Sequence, residues 1–376
     1  MNIVIGAGLS GAVIARLIAE ELNEQVLVYE KRDTAGGNCY DYKNEDNIFI
    51  HKYGSHIFHT KNEEVWNFVN RFTEFNDYVH KVYAHINGKE VIIPFNLSSI
   101  YELFPENKAK ILEEKLLKTF EFNTKVPILE FQKQDDEDLK SLADFVYKNV
   151  FEGYTMKQWG LRPEEIDKSV TARVPVLIGR DDRYFYDKFQ GIPVEGYTKM
   201  IENILDHPNI KVEYNKSLGE DFSLADLNAD KIFCTSSIDE AFNYQFGELP
   251  YRSVRFEYEK YDKEFYQLNS VVNYPNDNDF TRIHEYKYYL NDKSDKTVIA
   301  KEYSQKFERG KNERFYPIKN EDNQNIYIKY LEEAKKLKNV YFLGRLGGYA
   351  YYDMDKAVES ALNLFKEIKN CPKLVL

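Results

Sequence analysis

A tight glycine turn near the N-terminus constrains the fold of this chain more than any other feature. Gly6, Gly8 and Gly11 fit the pattern G-x-G-x-x-G, between an apolar strand predicted at 2–5 and an amphipathic helix predicted at 10–22. In such a turn the first glycine permits the bend, the second lets the backbone approach a pyrophosphate, and the third lets helix and strand pack closely. The pattern therefore predicts a dinucleotide-binding α/β unit at the start of the chain.

An acidic residue strengthens this prediction. Glu30 ends a second predicted strand at 25–30 and follows the turn by about 20 residues, where a carboxylate accepts hydrogen bonds from a ribose. The helix after the turn would direct its unpaired N–H groups and the positive end of its dipole toward the phosphates. The turn and the acid together do not distinguish FAD from NAD.

Two further glycine-rich segments favour FAD. The run Gly36-Gly37-Asn38 predicts a second loop in which backbone can come close to the pyrophosphate. Near the C-terminus, a strand predicted at 340–343 is followed by Arg345 and a further helix, whose N-terminus can face the pyrimidine edge of a flavin. A plain surface loop is the alternative interpretation of these C-terminal glycines.

The acidic balance of the chain argues against nucleic acid as a partner. The formal net charge is −11, with 51 Lys and Arg against 62 Asp and Glu, so the mean field does not attract a phosphate backbone. An anionic substrate therefore requires arginines that are concentrated at its site.

The cysteines and histidines predict neither disulfides nor a metal site. The three cysteines are far apart, which fits a reducing cytoplasm, and no apolar run approaches the length of a membrane span. His51, His56 and His59 lie close together in the sequence, but no acidic or cysteine partner completes a recognisable zinc site.

The rest of the sequence contains two further stretches with distinct residue patterns. A charged, helical stretch at 97–159 reads as an inserted helical module, and alternation at 251–303, including RIHEYKYY at 282–289, predicts an antiparallel sheet. A hairpin is predicted at 83–93 around Asn87-Gly88. We predict an α/β fold in which a Rossmann-like FAD-binding domain carries an inserted helical module and an antiparallel β-sheet domain. The predicted boundaries are 1–75, 195–238 and 335–376 for the FAD-binding domain, 97–165 for the insertion, and 76–96, 166–194 and 239–334 for the sheet domain.

Several segments resemble bacterial UDP-galactopyranose mutases, in the order of that family and over essentially the whole chain. They include GYTMKQWG at 153–160, FQGIPVEGYTKMI at 189–201, TRIHEYK at 281–287 and GRLGGYAYYDM at 344–354. The resemblance implies a FAD enzyme, active in the reduced form, that interconverts UDP-galactopyranose and UDP-galactofuranose through a flavin N5–sugar adduct without net redox change. It further implies a homodimer that is reduced by NAD(P)H or another reductant and supplies galactofuranose for cell-surface polysaccharide.

The resemblance also implies roles for particular residues. Arg173 and Arg282 would grip the UDP diphosphate, as planar guanidinium groups do well, and His59 would lie in a loop beside the flavin. Surface ion pairs for the arginines and core packing for the aromatic residues are the alternative interpretations. The implied catalytic residues are Arg173, Arg282 and His59; the implied substrate-binding residues are His80, Phe151, Tyr154, Thr155, Trp159, Tyr184, Arg252, Asn273, Tyr316, Tyr351 and Asp353; the implied cofactor-binding residues are Gly6, Gly8, Leu9, Ser10, Gly11, Glu30, Lys31, Gly37, Asn38, His56, Ile57, Val212, Arg345 and Met354.

Three positions depart from the pattern of the family. Leu177 replaces an expected arginine, His80 replaces an expected asparagine, and Ser55 stands where alanine or proline is commoner. Because one or two side chains can set sugar preference, the 2-acetamido analogue of UDP-galactose is an alternative substrate. A flavin amine oxidase-like oxidoreductase and a non-catalytic nucleotide-binding protein are the alternatives of other classes.

Overall fold

A computed structural model describes residues 1–160, 175–276 and 278–370 of the chain, apart from the side chain of Trp159. The strands are β1 (Asn2–Ile5), β2 (Val26–Glu30), β3 (Asp41–Lys43), β4 (Phe49–His51), β5 (Phe58–Thr60), β6 (Val82–Ile86), β7 (Lys89–Ile93), β8 (Thr124–Val126), β9 (Val176–Ile178), β10 (Phe189–Gly191), β11 (Ile210–Tyr214), β12 (Ile232–Cys234), β13 (Tyr251–Tyr261), β14 (Val271–Asn273), β15 (Arg282–Glu285), β16 (Thr297–Lys306), β17 (Tyr316–Pro317) and β18 (Val340–Phe342). The helices are α1 (Leu9–Glu21), α2 (Glu63–Val69), α3 (Leu97–Leu103), α4 (Glu106–Thr119), α5 (Ile128–Phe131), α6 (Glu137–Val146), α7 (Gly153–Trp159), α8 (Tyr197–Leu205), α9 (Ile238–Ala241), α10 (Lys287–Leu290), α11 (Glu321–Ala334), α12 (Gly344–Gly347) and α13 (Met354–Asn370).

A five-stranded parallel sheet in the order β11-β2-β1-β12-β18 forms the centre of the first layer. Every residue of β1 is buried, as expected for a strand that is covered on both faces. Val4 faces the core formed with α1, α8 and α13, whereas Ile3 and Ile5 face a smaller cluster on the opposite side. The predicted strand–turn–helix–strand unit is confirmed, and its glycine turn lies at the carboxyl end of β1.

A seven-stranded sheet in the order β17-β13-β16-β15-β14-β6-β7 forms the second layer. Its pairs are antiparallel except β14 with β6, which is parallel, so the prediction of a wholly antiparallel sheet is wrong at that point. The predicted hairpin is present as β6 and β7, and both turn residues, Asn87 and Gly88, have positive φ.

The predicted strand at 282–289 ends early. β15 stops at Glu285, and the chain then forms the short helix α10. Lys287 is buried, and its ammonium donates hydrogen bonds to the carbonyl oxygens of Glu264 and Ser294. Alternating apolar residues predicted a strand here, but the need to satisfy a buried ammonium with backbone carbonyls favours a local turn of helix.

The helical stretch packs directly against the second sheet. Two of its predicted helices, at 108–120 and 138–147, are observed as α4 and α6. Leu112, Leu116, Leu139 and Leu142 share one hydrophobic cluster with residues of β6 and β7, such as Val91. The insertion therefore forms one wall of any cavity that opens beside β6 and β7. Among the described residues, no helix is both long and apolar enough to cross a bilayer.

Candidate functional site

A cavity of about 850 Å³ opens at the carboxyl end of β1 and β2. Backbone forms its floor, because a Cβ atom at Gly11 would collide with the carbonyl oxygen of Gly6, and a Cβ at Gly37 would lie 2.9 Å from the Cα of Gly8. The N–H of Gly36 donates to the carbonyl of Ala7 at 3.0 Å, which fixes the two glycine loops against each other. A Cβ at Gly8 itself would meet nothing closer than 3.6 Å within the protein. The space in front of Gly8 is therefore open to a ligand.

The buried carboxylate of Glu30 holds the wall of this cavity. One oxygen accepts the N–H of Ala7 at 2.7 Å, and the other accepts the N–H of Arg32 at 3.0 Å. Beyond it, Lys31 and Arg32 both pair with Glu313, at 2.9 and 3.3 Å, and the guanidinium of Arg32 lies over the ring of Tyr53. A rim that contains two cations suits an anionic ligand such as a pyrophosphate.

Most of the predicted cofactor-binding residues line this first cavity. They are Gly6, Gly8, Leu9, Ser10, Glu30, Lys31, Gly37, Asn38, His56, Arg345 and Met354. Gly11 lies beneath the cavity, where α1 packs on β1. Ile57 lines the second cavity described next, and Val212 packs against the hydrophobic core and lines neither cavity.

A second cavity, of about 520 Å³, adjoins the first. The two share four lining residues, His56, Arg345, Asp353 and Met354, so a ligand in the first cavity borders the second. The second cavity collects the catalytic and substrate-binding residues predicted from distant parts of the sequence: His59, His80, Phe151, Tyr154, Thr155, Tyr184, Asn273, Arg282, Tyr316, Tyr351 and Asp353.

A charged pair lies in the wall of the second cavity. Arg282 on β15 is the direct partner of Glu302 on β16, and their Nε and Oε1 atoms are 3.4 Å apart. Burial opposes the charge on both groups, but Glu302 raises the pKa of Arg282, and Arg282 with His284 lowers the pKa of Glu302 to about 2. Both groups are therefore charged at neutral pH. The guanidinium also donates a hydrogen bond to the hydroxyl of Tyr154 on α7.

Aromatic rings complete the walls. Tyr316 and Tyr351 stack at 5.4 Å between centroids, and the guanidinium of Arg345 lies 5.7 Å from each ring. On the other side, His59 stacks on Phe185 at 3.6 Å. Its Nδ1 atom lies 2.6 Å from a carboxylate oxygen of Asp187.

Sequence reasoning did not single out Phe185, Asp187 or Glu302. The run YFYD at 184–187 combines aromatic rings with an acid beside the predicted Tyr184, and that signal was available. Glu302 carried no local signal, because its role depends on the pairing of β16 with β15.

Arg252 is the one predicted substrate residue among the described side chains that lines neither cavity. Its guanidinium donates to the carbonyl oxygens of Gln158, at 2.9 Å, and Lys157, at 3.3 Å, and to the hydroxyl of Ser304. It therefore caps the C-terminus of α7, where carbonyl groups lack partners within the helix. Arg173 and the side chain of Trp159 lie outside the described residues.

The described residues contain no group of His, Cys, Asp and Glu that could hold a metal ion. Burial lowers the pKa of His51 and of His56 to about 3, so both rings are neutral at physiological pH. The Nδ1 of His51 accepts the N–H of His56 at 3.1 Å, and the Nδ1 of His56 lies 2.7 Å from the carbonyl oxygen of Gly54.

Comparisons with known proteins agree with this geometry. Residues 149–351 match the family model described as UDP-galactopyranose mutase, and residues 4–72 match the one described as NAD(P)-binding Rossmann-like domain. The fold is similar to a crystal structure of reduced UDP-galactopyranose mutase, with a TM-score of 0.69 at 15% identity over 98% of this chain and 93% of that one.

Three curated relatives cover nearly the whole chain. A dTDP-fucopyranose mutase of Escherichia coli is 37% identical over 96% of this chain and 96% of the relative. A probable UDP-galactopyranose mutase of Klebsiella pneumoniae is 38% identical over 97% and 93%. A UDP-galactopyranose mutase of Mycoplasma genitalium is 36% identical over 95% and 91%.

Proposed function

The chain belongs to the UDP-galactopyranose mutase family, and from that premise we propose that it interconverts the pyranose and furanose forms of UDP-galactose with reduced FAD as cofactor. The observation that supports this most directly is the junction of the two cavities. A dinucleotide cavity with a backbone floor opens beside a second cavity that contains the charged guanidinium of Arg282.

The residues of the first cavity fit FAD. The open face of Gly8 leaves room for a pyrophosphate, Glu30 offers carboxylate oxygens to a ribose, and the rim carries cations. His56, Arg345 and Met354, at the junction, would hold the flavin end. When bound, reduced FAD supplies an electron-rich ring next to the second cavity, which is the chemistry that an isomerase of this family requires.

Among the described residues, Arg282 makes the main electrostatic contribution to the proposed reaction. When UDP separates from the anomeric carbon, its diphosphate gains negative charge, and a fixed guanidinium stabilises that charge before it returns to the sugar. Glu302 holds Arg282 in place, and the Tyr154 hydroxyl fixes its outer edge. By the sequence resemblance, Arg173 is proposed to bind the same diphosphate.

The aromatic residues orient the substrate and exclude water. Tyr184 would stack on the uracil, while Tyr316 and Tyr351 would contact the diphosphate. His59 is fixed at Nδ1 by Asp187 and on one face by Phe185, so its ring is held at the cavity wall, where it can contact the sugar.

Finer aspects of the proposal rest on the sequence alone. They are reduction of the flavin by NAD(P)H or another reductant, a homodimer, a cytoplasmic location, and supply of a furanose sugar for cell-surface polysaccharide.

The purified protein tests the proposal. We expect a flavin absorbance spectrum and, after reduction with dithionite, conversion of UDP-galactofuranose to UDP-galactopyranose that is resolved by HPLC. The oxidised protein serves as the matched control and should be inactive, and no reductant should be consumed per turnover.

Parallel reactions with dTDP-fucopyranose and with UDP-N-acetylgalactosamine rank the substrates. The first is included because a relative with that specificity is as similar to this chain as the UDP-galactose enzymes are. Oxygen-dependent oxidation of an amine without isomerisation would instead support an amine oxidase, and a colourless protein would support a non-catalytic one.

A further inference from the structure

The lysine and arginine side chains that line the second cavity differ in how their charge is engaged. Among the described residues they are Lys125, Arg282 and Arg345. Arg282 pairs with Glu302, and the guanidinium of Arg345 donates hydrogen bonds to backbone carbonyl oxygens. Lys125, which sequence reasoning did not single out, has neither a hydrogen bond nor an ion pair within the described part of the chain. Its charge is therefore available to a ligand.

Strand β8 places Lys125 at the mouth of the cavity. Side chains alternate between the two faces of a strand, and because Val126 is buried in the hydrophobic cluster of the insertion, Lys125 lies on the opposite face. There it is exposed and yet lines the cavity. Its ammonium lies 3.8 Å from the centre of the Tyr186 ring. The ring restrains the cation but leaves N–H groups that point away from the ring free to donate.

The carboxylates that influence Lys125 are engaged by other partners. Burial lowers the pKa of Lys125, and the charges of Asp187 and Asp181 oppose that effect only in part. Asp187 lies 2.6 Å from Nδ1 of His59, and Asp181 accepts hydrogen bonds from the guanidinium of Arg183. The charge of Lys125 is therefore only weakly compensated within the protein.

The cross-strand neighbour of Lys125 supplies no charge of its own. In the antiparallel pair of β8 and β9, Lys125 lies opposite Leu177, which is apolar and 3% exposed. Leu177 is the position at which the sequence comparison predicted an arginine. Because directly opposite residues project from the same face of a sheet, a lysine at position 125 presents a cation on the face where that arginine was expected.

We propose that Lys125 is a docking residue for the nucleotide sugar, whose phosphate group its ammonium binds at the mouth of the second cavity. The inference rests on the proposed function, because it requires an anionic ligand in this cavity. A chain of net charge −11 repels a diphosphate on average, so a weakly compensated cation at the mouth raises the local concentration of the substrate. An ammonium suits this role because it is a compact point charge on a flexible stem.

Lys125 and Arg282 would then contribute to different kinetic constants. Arg282 is held by Glu302 and by the hydroxyl of Tyr154, so its guanidinium has a fixed place in the cavity wall. Lys125 is restrained only by the ring of Tyr186. A flexible cation at the mouth binds the ground state and the transition state about equally, so its removal should raise KM and leave kcat nearly unchanged.

Binding of UDP and of uridine to the oxidised holoenzyme tests the proposal, because the two ligands differ only in the diphosphate. Isothermal titration calorimetry measures UDP, and competition against UDP extends the measurement to weaker uridine binding. In Lys125→Met, which keeps an apolar stem against Tyr186, UDP should bind about fivefold more weakly at low salt, and uridine should bind as it does to the parent. An equal loss for both ligands would overturn the proposal, because position 125 would then support the base or the packing.

Two further variants control for charge and for position. Lys125→Arg keeps the positive charge, so it should bind UDP about as tightly as the parent does. Lys140→Met removes an exposed lysine of α6 that lines neither cavity, and it should change nothing. The deficit of Lys125→Met should shrink to about twofold at 1 M salt, where charges are screened. A loss in Lys140→Met as large as in Lys125→Met would mean that net charge, and not the place of Lys125, attracts UDP. A Lys125→Arg variant as weak as Lys125→Met would also contradict the proposal.

Steady-state kinetics of the reduced enzyme then connect docking to turnover. In Lys125→Met the KM for the UDP-sugar should rise about fivefold, and kcat should stay within about twofold of the parent. A parent protein that does not bind UDP would contradict the proposed function and, with it, this inference. Equal UDP affinities in the parent and in Lys125→Met would contradict this inference alone.

Discussion

The two adjoining cavities differ in whether backbone or side chains determine their shape. In the first, backbone atoms of Gly6, Gly8, Gly11 and Gly37 set the shape, and all of them lie within one short stretch of the chain. In the second, side chains from β6, α7, β14, β15, β16 and β17 set the shape, and strand pairing brings them together. The shape of the first cavity thus depends on the absence of side chains, whereas the shape of the second depends on which side chains are present.

Of the variants considered, Arg282→Ala should reduce turnover most. Its effect should be limited to the second cavity. We expect turnover to fall by about 10²- to 10³-fold, because the proposed role of the guanidinium is to stabilise charge on the leaving diphosphate. Loss of the buried pair should also cost about 3 kcal/mol of folding free energy, because buried Glu302 would lose its cationic partner and keep only its contacts with His284 and Thr281. HPLC measures turnover, and flavin absorbance per protein should remain unchanged.

Arg255→Ala is the matched control for this loss. Arg255 lies on β13 of the same sheet, but it is exposed and pairs with Glu257 outside both cavities. It should retain turnover within about twofold, because exposed ion pairs contribute little. An Arg282→Ala enzyme with near-native rate would remove the central assignment of the second cavity.

Gly8→Ala and Gly11→Ala should distinguish two roles of glycine at the first cavity. One role is to leave room for the ligand, and the other is to allow close packing within the protein. At Gly11 an added methyl group collides with the carbonyl of Gly6, so we expect a loss of about 1–3 kcal/mol in stability as well as loss of flavin. At Gly8 the methyl group meets only Gly37 at 3.6 Å, so the apoprotein should fold normally and yet bind little FAD.

Thermal denaturation and flavin content distinguish the two variants. If Gly8→Ala retained a full complement of flavin, the pyrophosphate could not lie against this turn. If Gly11→Ala were as stable as the parent, the backbone contact between the turn and α1 would be less restrictive than the structure indicates.

This division explains what the sequence could predict. The parallel-sheet unit and the cofactor residues around Gly6 and Glu30 follow from a local pattern whose physical requirement, the lack of a Cβ, is visible in the residue type. Glu302 gave no such signal, because its contact with Arg282 exists only after β15 and β16 have paired. Eleven residues to which the family resemblance assigns catalytic or substrate-binding roles line the second cavity, and those roles stay predictions.

The error in the predicted strand has the same origin. The strand predicted through 286–289 fails because the ammonium of Lys287 is buried and is satisfied by local carbonyls, which periodicity does not report. The sequence did not indicate the hydrogen bonds of Arg252 to the carbonyls of Gln158 and Lys157 and to the hydroxyl of Ser304. Its contact with substrate stays a prediction.

Lowering the pH should weaken both cavities through their buried histidines. The pKa of His56 in the first cavity and of His80 in the second is lowered to about 3 by burial, from an ordinary value of 6.5. The unfolded chain therefore binds more protons between these values, and stability that is complete above pH 6.5 is lost as the pH falls. Each histidine should cost on the order of 1 kcal/mol between pH 7.5 and 5.5.

Urea unfolding of His56→Asn and His80→Asn at these two pH values measures the two contributions. Each variant should lose less stability on acidification than the parent, and the double variant should lose less than either, because the two rings are separate sites. A variant with the same pH dependence as the parent would show that its histidine is already charged in the folded protein.

Arg252→Lys should have the smallest effect on activity. It should show whether Arg252 supports the end of α7 or contacts the substrate directly. A lysine keeps the charge but can no longer reach the carbonyls of Gln158 and Lys157 and the hydroxyl of Ser304 together, so the end of α7 should be held less firmly. We expect about a threefold loss in kcat/KM from slight misplacement of Tyr154, which α7 carries. Arg282→Lys provides the matched comparison, and its loss should be at least about tenfold greater, because in the proposed function the planar guanidinium at that position contacts the reacting diphosphate. Equal losses in the two variants would mean that Arg252 reaches the substrate directly and that the wall of the second cavity extends beyond the residues that line it in this structure.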